Sequence, residues 1–306
     1  MAEKLNTIKQ IMGTKLLELQ SQVTSIVRAD FPNLDFVQAV SKKADKEREQ
    51  LNRKTLREEL FSSSFNYCLY SDVYDVIKDR KRSVCRINWP GSSGTGFLLS
   101  KRKILTCFHV FKDLHAATLR FTDLSLFTAT FFVSSTQEYK VSFPATTLKC
   151  HSEDLDYAIL QLSVDDDIAS VIDSLPYLGR YISESVDDRN MVVVVGHPYG
   201  GSKIVDFCPI AGLDQSYIIH VRFGNPEFPQ EDPRKPLYHT GVMFHGSSGS
   251  PGFDTHGNVV LMHTRGFFPD RSRQSLVERG VRLSAIREHA RNDPNLAPEV
   301  FSEIFP

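Results

Sequence analysis

From Ser83 onward the chain is written in short runs of β-branched and aromatic residues, each closed by Gly, Pro, Asn or Asp, and that texture admits few folds. The clearest runs are Val84–Ile87, Gly96–Leu99, Lys103–Thr106, Ala129–Val133, Ala158–Leu162, Met191–Val195, Tyr217–Val221 and Val259–Met262. With no helical pattern read between them, they predict a mainly β architecture of barrel type over residues 84–290. Val281 to about Arg291 reads as one closing helix. The tail, 291–306, has two apolar patches interrupted by Pro and reads as loosely docked.

The first 60 residues have a different period. Leu5, Ile8, Met12, Leu16, Leu19, Val23 and Ile26 recur at steps of three and four, the mark of one apolar helix face. Asp30-Phe31-Pro32-Asn33 breaks the pattern, and Asn33 or Asp35 could cap a second helix from about Phe36 to Leu60. An N-terminal α-helical hairpin over 1–60 is therefore expected, packed on its own domain or against a second copy as a homodimer. Residues 61–83 read as a linker, with Lys78–Arg82 as a short basic run on the surface.

Composition narrows the class further. A net charge of −1 gives no global argument for nucleic acid or a membrane surface, and no apolar run approaches a membrane span. Met1–Asn6 lacks the apolar stretch of a secretory signal. The five cysteines are scattered, with no Cys-x-x-Cys pair, so no zinc site or other cofactor is expected. Free thiols in a reducing compartment, nucleus or cytosol, are the simplest reading.

Chemistry enters with Gly246-Ser247-Ser248-Gly249-Ser250-Pro251. A serine hydroxyl is a weak nucleophile until a base takes its proton and donors receive the new oxyanion. Small neighbours let the backbone turn tightly, so the N–H groups of Gly246 and Ser248 can form that hole. The candidate base is His109, at the end of Ile104–Phe108, where a strand runs into a turn. The candidate orienting acid is Asp156, which heads the apolar run Tyr157–Leu160; Asp154 is its rival, read as a solvated loop carboxylate. The order is His109, then Asp156 after 47 residues, then Ser248 after a further 92. His–Asp–Ser is the order of two-barrel trypsin-like serine proteases, with base and acid on the first barrel and nucleophile on the second. Gly94-Thr95-Gly96-Phe97 resembles the opening strand of intracellular and bacterial members of that class.

Ser247 stands where secreted zymogens carry an Asp that pairs with a freed amino terminus, so activation by cleavage is not expected. Order in the oxyanion loop would then come from elsewhere, for example dimerisation. Six residues before the nucleophile, Val242 would floor the S1 pocket, flanked by Met243 and Phe244 with no acid nearby. An apolar floor cannot compensate a buried Lys or Arg charge, which favours Phe, Tyr, Leu or Met before the scissile bond. His263 either lines the pocket wall beside Thr264 and Gly266 or packs as a strand histidine under the cleft. Rival functions are a pseudoprotease scaffold, a nucleic-acid module built on Lys78–Arg82 and Lys101–Lys103, and a thiol enzyme using Cys107.

Four stretches carry a closer resemblance: Leu155–Leu160, Val195–Gly200, Gly246–Pro251 and Met262–Phe267. Together they resemble the peptidase domain of the "family with sequence similarity 111" vertebrate serine proteases. The resemblance implies a nuclear protease linked to DNA replication and to removal of protein obstacles or DNA–protein crosslinks. It also implies self-cleavage, dimerisation through helices before the barrels, and a triad of His109, Asp156 and Ser248. The better-known members add N-terminal regions for ubiquitin-like folding and single-stranded DNA binding. Here the chain reads as a fragment or a shorter relative, acting on protein substrates, with direct DNA binding not expected.

Overall fold

The computed structural model describes residues 71–134, 137–143, 148–184, 191–211, 232–238, 245–267 and 277–306. The expected hairpin over 1–60, the strand at Tyr217–Val221, and Val242 and Met243 lie outside them.

Seven antiparallel strands build the first half: β1 (Val84–Trp89), β2 (Ser92–Ser100), β3 (Lys103–Thr106), β4 (Thr128–Phe132), β5 (Glu138–Ser142), β6 (Leu148–Ser152) and β7 (Tyr157–Gln161). Their order is β5-β4-β1-β2-β3-β7-β6, and a bridge between Ser142 and Ser163 draws the β5 edge toward the end of β7. The second half is a closed barrel of β8 (Met191–Gly196), β9 (Ile204–Ala211), β10 (Leu237–Tyr238), β11 (Pro251–Phe253), β12 (Val259–Phe267) and β13 (Val277–Arg282). Pairing of Leu237 with Ala211 closes it.

All six residues of β8 are buried because the strand serves two cores. Val193 and Val195 join the large core that fills the first sheet and the seam, with Phe97, Leu105, Ile159, Phe253 and Met262. Val192 and Val194 face the other way, into the barrel, with Cys208, Tyr238, Val260 and Leu261. A period of two along one strand thus supplies both interiors.

Helices depart most from the sequence reading. The linker stretch contains α1 (Ser71–Arg80), whose Ile77 is buried and whose Arg80 guanidinium lies 3.6 Å from the centroid of the Tyr181 ring. Two helices interrupt the strands: α2 (Phe108–Thr118) and α3 (Asp166–Asp173). In α2 the buried Val110, Leu114 and Ala117 stand at helical spacing, a stripe hidden behind the strand-like start Phe108-His109-Val110. The closing helix, α4, runs Leu283–Arg291, because Val281 and Arg282 complete β13.

The tail is not loosely docked. Pro298–Ile304 forms α5, begun by Pro at its first turn, and Ile304 and Phe305 are buried. A Cβ on Gly179 would stand 2.4 Å from the Leu99 oxygen and 3.1 Å from the Ile304 oxygen, so the chain end fits a slot too narrow for any side chain. Lys103, nearly buried, pairs with Glu303 across the same seam.

Candidate active site

The site is assembled where α2 leaves β3. An N-terminal turn exposes N–H groups that the helix cannot satisfy, and Cys107 at the cap supplies no side-chain acceptor. Asp156 supplies two. Its main-chain oxygen accepts the Phe108 N–H at 3.1 Å and its Oδ1 accepts the His109 N–H at 3.0 Å. The other carboxylate oxygen, Oδ2, accepts from His109 Nδ1 at 2.8 Å. One residue therefore caps the helix and fixes the imidazole, leaving the lone pair on Nε2. Asp156 itself is in the left-handed region, φ 51°, a conformation that Asp tolerates better than most residues. Asp154 points elsewhere: it is exposed and pairs with Lys235 at 2.8 Å and Arg234 at 3.0 Å.

The loop that carries Ser248 comes from the barrel side, before β11, and is sewn to the first sheet. Thr95 N–H donates to the Ser248 carbonyl at 2.9 Å, and Thr95 Oγ1 donates to the Gly246 carbonyl at 2.8 Å. Gly249 has φ +93°, and a Cβ there would lie 2.0 Å from the Thr95 oxygen. Only glycine allows this seam. Ser248 is half-buried, and its hydroxyl donates to the Thr264 carbonyl at 3.3 Å rather than to His109.

The expected S1 residues in view are His263, Thr264 and Gly266, all on β12. Thr264 Oγ1 donates to the Arg279 carbonyl at 2.9 Å. Gly266 is half-buried and opposite Glu278. His263 is buried inside the barrel, with Nδ1 hydrogen-bonded to the Tyr238 hydroxyl and Nε2 3.7 Å from Glu278 Oε2. Burial pushes its pKa down to about 3, so the ring is neutral. The acid beside His263 is Glu278. It arrives from β13 and is buried. Its signal was weak, one of three charges in a strand that also carries Arg279 and Arg282.

Three other described histidines have structural partners. His197 Nδ1 bonds the Gly201 carbonyl at 2.9 Å, and burial holds its pKa at about 4. His289 Nδ1 meets the Tyr157 hydroxyl at 2.9 Å, and His151 stacks on Phe108. Cys107 is buried, its thiol turned to the His263 carbonyl, and burial together with the Asp156 charge raises its pKa well above the ordinary range. That rules against a thiolate nucleophile. Ligand atoms of Cys107, His109 and Asp156 do lie within 4.8 Å of one another. With the thiol turned to a carbonyl and the Nδ1 proton shared with Asp156, their present bonding suits proton handling rather than metal ligation.

Two packed β-structures, one carrying a His–Asp pair and the other a serine on a glycine-framed loop, define the class of trypsin-like peptidases. Residues 94–260, more than half of the chain, match the family described as trypsin-like peptidase domain, and the chain belongs to that family. It is 27% identical over 243 residues to Serine protease FAM111B of Homo sapiens, covering 67% of this chain and 32% of that protein. It is 22% identical over 236 residues to Serine protease FAM111A of Mus musculus, covering 66% and 37%. The chain thus spans about a third of the length of these relatives. Solved structures similar to it include the HtrA-type protease AlgW with tripeptide, at 15% identity, coverage of 71% and 61%, and TM-score 0.47. Deg5 is similar at 15% identity, coverage of 70% and 90%, and TM-score 0.49.

Proposed function

We propose that the chain is a serine endopeptidase acting by acyl transfer, with Ser248 as nucleophile, His109 as general base and Asp156 as the carboxylate that orients it. The observation that carries this reading is the double hold of Asp156 on His109, through ring and backbone at once. It fixes both the position and the tautomer of the base. Ser248 turns from the Thr264 carbonyl to Nε2, gives up its proton and attacks the scissile carbonyl. The N–H groups of Gly246 and Ser248 receive the oxyanion. His109 protonates the leaving amine, and water repeats the cycle to free the acyl group.

The preferred cleavage is after Phe, Tyr, Leu or Met, resting on Val242 as an apolar floor. The buried Glu278–His263 pair makes a P1 panel with Lys, Arg and Gln arms the sharpest check, and preference for any of those would replace the apolar reading. The proposed cellular role follows the family resemblance carried by the four sequence stretches. It is nuclear, with removal of protein obstacles during DNA replication, self-cleavage, and dimerisation through the N-terminal helices. Nuclear retention in fractionated cells, and crosslink persistence on depletion, would test it.

The chemical test is labelling by a fluorophosphonate probe. Labelling of the wild type, lost in Ser248→Ala and weakened in His109→Ala, is expected. A folded protein that never labels, at any concentration, would instead be a pseudoprotease scaffold.

A further inference from the structure

We propose that the oxyanion hole of this domain is held formed at rest by two buried hydroxyls, Thr95 and Ser250, together with the main-chain turn at Tyr199. The inference rests on the reading of Gly246 and Ser248 N–H as the hole. It assigns the residues that set it in a chain with no acid beside the nucleophile to catch a freed amino terminus.

In a trans peptide unit the C=O and N–H point in opposite directions, so fixing one aims the other. The Gly246 N–H belongs to the unit whose carbonyl is His245, and that carbonyl accepts the Tyr199 N–H. The Ser248 N–H belongs to the unit whose carbonyl is Ser247. That oxygen accepts both the N–H and the Oγ–H of Ser250. The two carbonyls between and beyond them, Gly246 and Ser248, are the pair held by Thr95. Four successive carbonyls are therefore engaged on the protein side. Among the described residues, neither the Gly246 nor the Ser248 N–H has an acceptor, as two donors awaiting an oxyanion should not.

The turn at Tyr199 is itself tied to this lock. Thr95 Oγ1, while donating to Gly246, accepts the His197 N–H at 3.1 Å, so one hydroxyl bridges both loops with its donor and an acceptor in use. Tyr199 is held at φ 55°, which aims its N–H at His245. Gly196 precedes the turn, and a Cβ there would stand 2.0 Å from Ser250 Oγ. The Ser250 hydroxyl thus occupies space that only a glycine on β8 leaves open. Thr95, Ser247 and Ser250 are all fully buried, so water cannot replace a lost partner.

Thr95 and Ser250 are positioning residues, and the test separates positioning from mere packing. Ser250→Ala and Thr95→Val keep the volume and remove the hydroxyl. Each should lower kcat by about 10- to 100-fold with KM unmoved, less than the loss of a donor outright. Affinity for a peptide boronic acid, whose charged oxygen sits in the hole, should fall in parallel, and Thr95→Ser should recover the rate relative to Val. Hydrogen exchange in a Ser248→Ala background, which cannot react, reads the lock without activity: Gly249 and Ser250 amides should lose protection in the Ala and Val variants and keep it in Thr95→Ser. Unchanged kcat and unchanged exchange in folded variants would overturn the proposal. So would a wild-type hole that forms only as concentration rises, which would assign its ordering to association. A wild type that is inert while exchange responds as expected would sink the peptidase reading and leave the lock standing.

Discussion

Asp156 does two jobs at one residue, and its substitutions should separate them. Asp156→Asn retains an acceptor for the His109 N–H but can present its NH₂ to Nδ1, favouring the wrong tautomer. It should lower kcat by about 10⁴-fold with little change in stability. Asp156→Ala also removes the helix cap and should cost about 1 kcal/mol more in urea denaturation. Equal stability of the two variants would show that the cap contributes nothing. The pair was legible in the sequence because a carboxylate at the head of an apolar run has few places to go. The cap was not, because it depends on a helix whose first turn reads like strand. Acid titration belongs to the same scale. Burial depresses His197 to about 4 and His263 to about 3, while the unfolded chain protonates both near 6.5. The unfolded state therefore binds protons that the native state refuses. Stability is full above 6.5 and is lost as pH falls toward 4, by about 1.4 kcal/mol per pH unit for each ring. Urea midpoints at pH 7, 5.5 and 4.5 measure this, and a flat series would mean that the rings charge without unfolding.

Among the elements, the buried strands were more legible than the exposed edge strands. The run of β8 stands out because every residue is apolar or glycine, and Lys103–Thr106, though it carries Lys and Thr, is buried throughout. In contrast, β5 reads Glu138-Tyr139-Lys140-Val141-Ser142 with only Val141 buried, as befits an edge strand. The same weakness hid β6 and, for a different reason, α5. Proline in the tail suggested a break, yet Pro298 opens a helix whose end is gripped by β2 and the Gly179 turn. Ile304→Ala should therefore cost about 2–5 kcal/mol, as a fully buried aliphatic does. Thermal melts would show it, and a loss under 0.5 kcal/mol would return the tail to the surface.

At the level of the whole molecule, the mainly β, two-part plan follows from strand texture together with His–Asp–Ser order. The approach of His263 to Glu278 does not, because the two meet only once β12 and β13 are in register. The large core crosses the seam between the halves, so they should unfold as one unit. A single transition by circular dichroism and by tryptophan fluorescence from Trp89 is expected, and two separated transitions would contradict it.

The bond from Thr95 to the Ser248 carbonyl makes the proposed nucleophile part of the joint between the two β-structures. If the chain were expressed as two pieces divided after Glu184, one would hold His109 and Asp156 and the other Ser248, and neither could turn over substrate alone. Turnover would return only in pairs that had mated along this joint. Catalysis would then count correctly mated molecules, making the domain a self-reporting complementation pair.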